Sequence, residues 1–464
     1  MKINFLGAAQ TVTGSQHLLE INGHTLLLEC GLFQGRRADT YTRNQTFSFN
    51  PRKLDAVILS HAHIDHSGNL PNLVKSGYKG LIYATPATAD LTDLMVRDSA
   101  HIQEDDAAYV NKKRARRGEP PIQPLYTTAD AENVAEQLER VPYKEEFEPI
   151  PGVTARFVDA GHILGSAAVA LDIKENGRRL RLWFSGDVGR EKLPLLNDPI
   201  FPEAAEYLIM ESTYGDKAHR DPDLAHEEFA EVVLRTVKRG GKVIVPAFSV
   251  GRTQELVYSL NQLISHGDLP RIPVFVDSPL AVNASEIFFQ HANLFDQETQ
   301  SFVRRFQHPA LIFDGLNYVR SVEESKAINN MHEPMVIISA SGMAETGRIL
   351  HHLKNNIGDR HNTVMIVSWQ APDTLGRRLA ERQPYVNIFG ERYECRAEVA
   401  TIGGLSAHGG QDMLLKYAGN TLSSLKGIFL VHGEPAAAGT LREKLIETSD
   451  VPVFYPERAE EVEI

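Results

Sequence analysis

Apolar residues recur along this chain in short runs with two rhythms. Near the N-terminus, Ile3–Leu6, Gln16–Ile21 and Thr25–Glu29 read as strands, and Asn22-Gly23 is the two-residue turn that joins the last two as a hairpin. Leu54–Ser60 is apolar and β-branched and predicts a buried strand, and Ser67–Leu73 predicts a turn entering a helix. Residues 87–140 read as helical and exposed. Val153–Val158, Ala167–Ile173 and Leu180–Phe184 predict further strands. From about Asp216 to Gly390 the pattern changes. Helical stretches now alternate with the apolar runs Lys242–Pro246, Val274–Asp277, Met335–Ser339 and Val364–Ser368, which implies βαβ units and a parallel sheet. The C-terminal segment returns to a short βα pattern, with Gly427–Val431 a clear strand.

At 464 residues the chain is too long for one core, so two domains are expected. Hydrophobic content of 42% and charged content of 23% are ordinary for a soluble globular protein. The two cysteines, Cys30 and Cys395, cannot build a disulfide framework and point to a reducing cytosol. The N-terminus begins as a strand rather than a leader, and no apolar run is long enough to cross a bilayer, so the expected location is the cytoplasm, with no membrane partner. A net charge of −12 argues against non-specific nucleic-acid binding but is compatible with a local basic groove. The only dense basic run is Lys112-Lys113-Arg114-Ala115-Arg116-Arg117; it reads equally as a solvated helix end or as a nucleic-acid contact.

The candidate chemistry is concentrated in His61-Ala62-His63-Ile64-Asp65-His66, which offers three imidazoles and a carboxylate on a loop at the end of a predicted strand. His61, His63 and Asp65 cannot all face one way on a regular element, but a loop can divide them between two metals. His162 sits in the Gly-bracketed turn Gly161-His162-Ile163-Leu164-Gly165, Asp187 follows a strand and precedes Val188-Gly189, and His432 follows Leu430-Val431 and precedes Gly433. Each alone reads as a turn residue. Together with the first cluster they supply enough ligands for two coordination sets.

With these residues the chain resembles the metallo-β-lactamase-fold hydrolases, and specifically the β-CASP branch of nucleic-acid-processing nucleases. The resemblance covers nearly the full length. Three segments tie it to that branch: Ile209-Met210-Glu211-Ser212-Thr213-Tyr214-Gly215, Gly404-Leu405-Ser406-Ala407-His408 and Leu430-Val431-His432-Gly433-Glu434. Pro246-Ala247-Phe248-Ser249-Val250-Gly251-Arg252-Thr253-Gln254-Glu255 and Ser339-Ala340-Ser341-Gly342-Met343 resemble the branch's inserted domain. The implied fold is an α/β, αββα sandwich (residues 1–215 and 391–464) interrupted by a β-CASP domain with a parallel sheet (residues 216–390), with the active site in the cleft between them.

The resemblance also implies roles. One zinc would be held by His61, His63 and His162, a second by Asp65, His66 and His432, with Asp187 bridging; manganese or a similar ion could substitute. Glu211 and His408 would form an acid–base pair, with Asp65 and Asp187 also counted among the catalytic residues. Ser249, Arg252, Ser341, Gly342 and His408 would contact the backbone phosphates of the substrate. Arg252 has an alternative as a structural partner of Glu255, and Arg377 and Arg378 read equally as phosphate contacts or surface ion pairs. The strand before Cys30 ends in Glu29 where the family has an aspartate that braces the ligand loop. The implied activity is a zinc-dependent ribonuclease acting on single-stranded RNA, as a possible homodimer. His432 favours RNA over the alternative of a DNA-repair nuclease, and the inserted domain disfavours a thioesterase-like small-molecule hydrolase. With no N-terminal extension for KH modules and only about thirty residues after His432, the chain resembles the compact stand-alone bacterial ribonucleases.

Overall fold

The computed structural model describes residues 1–35, 37–371 and 373–464, and within them every side chain except those of Arg37, Ala38, Asp39 and Asp223. The chain divides into two compact units. Met1–Glu191, Asp198–Ala218 and His408–Ile464 form the first; Lys192–Asn197 and His219–Ala407 form the second. The second unit runs through Ala407 because Glu398–Thr401, a strand the pattern did not predict, pairs in parallel with Thr363–Ile366 and extends that unit's sheet.

The first unit is built on two seven-stranded sheets. One runs in the order Glu460–Glu463, Lys2–Gly7, Gln16–Ile21, His24–Leu28, Ala56–Ile58, Leu81–Ala84, Leu138–Arg140. The other runs Val453–Phe454, Gly427–Val431, Tyr207–Glu211, Arg178–Phe184, Ala167–Glu175, Val153–Asp159, Glu146–Ile150. Strand alternation explains the layering, because successive side chains point to opposite faces. Ile3, Phe5, Leu26, Leu28, Ile209 and Phe429 share one buried cluster drawn from both sheets. Leu27, Val57 and Leu59, the alternate positions, pack instead with Leu70 and Leu73 of the helix Leu70–Lys75. On the second sheet, Leu208, Met210 and Leu430 pack with Leu414 of Gln411–Gly419 and Leu441 of Pro435–Thr448. Two sheets face each other and helices cover both outer faces, which is the αββα sandwich.

The stretch 87–140 is less uniform than its pattern suggests. It holds one 30-residue helix, Pro86–Ala115, a second helix, Thr128–Ala135, and the strand Leu138–Arg140. Leu91, Val96 and Ala100 are buried, so the early part of the long helix belongs to the core and only its C-terminal part, with Lys112–Arg117, is largely solvated. Among the described residues no helix is long and apolar enough to cross a membrane.

The second unit centres on a six-stranded sheet in the order Leu316–Tyr318, Val274–Val276, Val336–Ser339, Val243–Pro246, Thr363–Ile366, Glu398–Thr401. Every pairing is parallel. The four strands that the sequence pattern predicted are buried throughout and mostly apolar, as a sheet covered on both faces requires. At their carboxyl ends Asp277 is fully buried and accepts hydrogen bonds from Ser325 (2.5 Å), Arg348 (2.7 Å) and His352 (2.6 Å). This network ties the loop after Val274–Val276 to the loop after Val336–Ser339.

Candidate active site

The first unit gathers seven of the predicted residues at the carboxyl ends of its strands. His24–Leu28 ends at Glu29, whose φ of +66° turns the chain out of the sheet. Gly31 follows because a Cβ there would lie 1.6 Å from the Asp65 carbonyl oxygen, so only glycine lets the ligand loop approach. The loop then runs through His61 and His63 into the short helix Ile64–Ser67, which carries Asp65 and His66. His162 is placed by Ser166, whose hydroxyl accepts the amides of His162 (2.9 Å) and Ile163 (3.2 Å). His432 is placed by its own amide, which donates to the Ala8 carbonyl at 2.7 Å.

Two donor sets converge. In the first, His63 Nδ1 lies 3.1 Å from His61 Nε2 and 3.3 Å from His162 Nε2, and Asp187 Oδ2 lies 3.4 and 3.5 Å from the same two nitrogens. In the second, His66 Nε2 lies 3.1 Å from His432 Nε2 and 3.4 Å from Asp187 Oδ1, while Asp65 Oδ2 is 3.4 Å from His432 Nε2. Asp187 therefore presents one oxygen to each set. Donors placed ~2.1 Å from a tetrahedral zinc are separated by ~3.4 Å, the spacing seen here. A shared proton can explain one such contact, but not four donors mutually at this distance.

The surroundings fit a cation as well. The outward nitrogens are anchored: His61 Nδ1 to Ser60 Oγ (2.9 Å), His66 Nδ1 to Glu29 Oε2 (2.8 Å) and His432 Nδ1 to Thr213 Oγ1 (3.1 Å), which aims each Nε2 inward. Glu29 also accepts the Ser60 amide at 2.6 Å, so the longer carboxylate does the bracing its shorter family counterpart would do. Asp187 Oδ1 is buried and accepts no hydrogen bond. Burial holds His61, His63 and His162 neutral, the form that ligates metal; His63 is pushed down to about 4. Asp65 and Asp187 stay ionised against burial because imidazoles face them, His432 foremost. An ionised carboxylate buried as deeply as that of Asp187 calls for a compensating positive charge.

Glu211 and His408 meet beside these sets. His408 Nδ1 lies 3.1 and 3.2 Å from the two Glu211 oxygens and 3.9 Å from Asp187 Oδ2. Glu211 is itself fixed by the Val188 amide at 2.7 Å. Burial disfavours the His408 imidazolium, but the Glu211 carboxylate outweighs it and raises His408 to about 9.

The residues expected to contact phosphate belong to the second unit. Ser249 is buried, 3.2 Å from the Ser278 hydroxyl. Ser341 and Gly342 follow Val336–Ser339, and the Ser341 hydroxyl accepts the amides of Glu345 (3.1 Å) and Thr346 (3.3 Å). Arg252 departs from the expectation of a phosphate contact: its guanidinium is buried and paired with Glu255 three residues on along the helix Arg252–His266. A buried cation already matched by a carboxylate has little charge to offer a ligand. Arg252→Ala is therefore expected to lower the melting temperature, leaving Glu255 buried and unpaired at a cost of about 3–5 kcal/mol, with RNA affinity unchanged. Thermal melts alongside RNA titrations check this. Arg377 is paired with Glu381 at 2.7 Å, whereas the buried Nε of Arg378 has no partner. The sequence reading missed the anchors Ser60, Ser166 and Thr213, which carry no spacing signal.

Comparison with known proteins supplies the family. Residues 11–247 match the metallo-β-lactamase superfamily, residues 253–379 the β-CASP domain, and residues 392–456 the Zn-dependent metallo-hydrolase RNA specificity domain. The chain belongs to the metallo-β-lactamase superfamily, in its β-CASP branch. It is a metal-dependent hydrolase. Relatives include a ribonuclease from Thermus thermophilus, 37% identical over 94% of this chain and 93% of that one. An RNase J-like protein from Methanocaldococcus jannaschii is 29% identical over 98% of each chain. The transcription termination factor FttA of the same organism is 29% identical over 98% of this chain and 70% of its own length. A solved structure from Enterococcus faecalis, of a protein of unknown function, shares the fold over 99% of both chains with a TM-score of 0.56 and 14% identity. The αββα sandwich with an inserted β-CASP domain, expected from the motifs, is the architecture observed.

Proposed function

We propose that this chain is a ribonuclease that hydrolyses phosphodiester bonds of single-stranded RNA with two zinc ions, one held by His61, His63 and His162, the other by Asp65, His66 and His432, with Asp187 shared. The observation that carries the reading is the pair of converging donor sets with one Asp187 oxygen in each. When bound, the metals supply Lewis-acid neutralisation of the phosphodiester and activation of water at neutral pH. The chain's own residues do the rest. Glu29, Ser60 and Thr213 hold the ligand imidazoles in one orientation. His408, kept protonated by Glu211, donates its proton to the leaving oxygen.

RNA is favoured as the polymer by the match to an RNA specificity domain, by His432 as a ligand, and by relatives named as ribonucleases. A cytoplasmic location is supported by the two free cysteines. The test is incubation with 5′- and 3′-labelled single-stranded RNA and DNA, with and without chelator. RNA should be cut, DNA should be cut far more slowly, and chelator should stop both. Comparable DNA cleavage overturns the RNA assignment; cleavage that survives chelation overturns the metal mechanism. The labelled ends also report whether cutting is internal or proceeds from the 5′ end.

A further inference from the structure

Two large aromatic side chains stand exposed on adjoining loops of the second unit. Phe248 is 43% exposed and Trp369 is 51% exposed. Phe248 follows the strand Val243–Pro246, and Trp369 follows its parallel neighbour Thr363–Ile366. Scattered exposed apolar residues need no explanation. These two are not scattered. They share the carboxyl end of a parallel sheet, where open α/β sheets bind ligands at the point of chain reversal. Val243–Pro246 is that point: the chain leaves it toward Val274–Val276 on one side, and later crosses from Val336–Ser339 on that side to Thr363–Ile366 on the other.

The loops under the two rings are braced. The Phe248 carbonyl accepts the Thr253 hydroxyl at 2.7 Å. Gly342 lies against the Phe248 ring, and a Cβ there would come within 3.0 Å of it. The Gln370 side chain donates to the Gly342 carbonyl at 3.0 Å, and the Gly376 amide donates to the Met343 carbonyl at 3.0 Å, joining the loop that bears Trp369 to the one beside Phe248. Arg378, with its unpartnered Nε, is on the helix Leu375–Ala380 that follows the Trp369 loop. Solvent-facing aromatic rings on braced loops are what unpaired nucleotides stack on, without regard to sequence.

We propose that Phe248 and Trp369 are stacking platforms for unpaired RNA bases, a substrate grip distinct from phosphate contact. This rests on the reading that the substrate is single-stranded RNA. The chain has two tryptophans, and the other, Trp183, is fully buried with its indole N–H bonded to Tyr417 at 2.7 Å. A change in tryptophan emission on adding RNA therefore reports on Trp369.

The experiment titrates phosphorothioate-linked single-stranded RNA into the full-length, metal-loaded protein. Binding should quench tryptophan emission. Phe248→Ala and Trp369→Ala should each raise Kd by roughly five- to a hundredfold. The log–log salt slope should stay the same, since no phosphate contact is removed, and Phe248→Tyr and Trp369→Phe should retain most of the affinity. Unchanged Kd in both alanine variants, or RNA binding with silent tryptophan emission, overturns the proposal. A flattened salt slope overturns it too, because the loss would then be electrostatic. Wild-type protein that neither binds nor cuts single-stranded RNA would instead sink the ribonuclease reading itself, an outcome separate from failure of the platform.

Discussion

Asp187→Ala is expected to empty both metal positions at once. Its Oδ2 faces His61 and His162, and its Oδ1 faces His66, each at 3.4 to 3.5 Å. The carboxylate is 2% exposed, and no hydrogen bond competes for Oδ1. Loss of this one side chain removes a donor from each set and a full negative charge from a buried site otherwise rich in imidazole. Elemental analysis of the purified variant should find well under one equivalent of metal per chain, and cleavage should fall to the level of chelated wild type. His63→Ala, which removes a donor from one set alone, should lose less. If Asp187→Ala keeps as much metal as His63→Ala, the shared-ligand assignment is wrong.

His408→Ala is expected to do the opposite, retaining metal while lowering the cleavage rate by about 10²–10⁴, the usual range for a general acid–base group. The imidazole reaches Glu211 at 3.1 Å but comes no nearer to Asp187 than 3.9 Å, so its loss leaves both donor sets complete. The pH profile gives a readout that a structural role would not move. Glu211 raises His408 to about 9, so the group is protonated at neutral pH and the acid form is lost as pH rises through that value. Nearby cations disfavour an imidazolium, which puts the alkaline limb of the rate at or below about 9. His408→Ala should lack that limb. Glu211→Gln should shift it to lower pH, because the charge that raises His408 is gone. Loss of metal from His408→Ala would show that this residue ligates.

The local parts of this protein are legible in its sequence. The cluster His61–His66 was legible because its four donors lie within six residues, on a loop after an apolar run that could only be a buried strand. His162, Asp187 and His432 were legible because a polar residue beside a glycine at a strand's end marks a turn where chemistry can sit. The apolar strands of the second unit were legible because a sheet covered on both faces reads as continuous hydrophobic runs. The strands that escaped, such as Glu391–Glu394, Glu398–Thr401 and Glu460–Glu463, are short and carry charged residues, so their pairing comes from neighbours rather than from their own pattern.

The remaining features arise from contacts between distant segments. Whether Arg252 meets phosphate or Glu255 depends on burial, which three residues of helical spacing do not reveal. Which nitrogen of His66 and of His432 points inward depends on Glu29 and Thr213, which approach from distant segments. The second unit runs to Ala407 because Glu398–Thr401 pairs in parallel with Thr363–Ile366, a pairing that no local pattern encodes. The exposure of Phe248 and Trp369 on adjoining loops depends on strand order, and a sequence more than a hundred residues apart at those two positions has no local pattern that encodes it. Local periodicity and ligand spacing are properties of a few neighbouring residues. Burial, pairing and ring orientation are set by contacts between distant segments, and these exist only once the chain has folded.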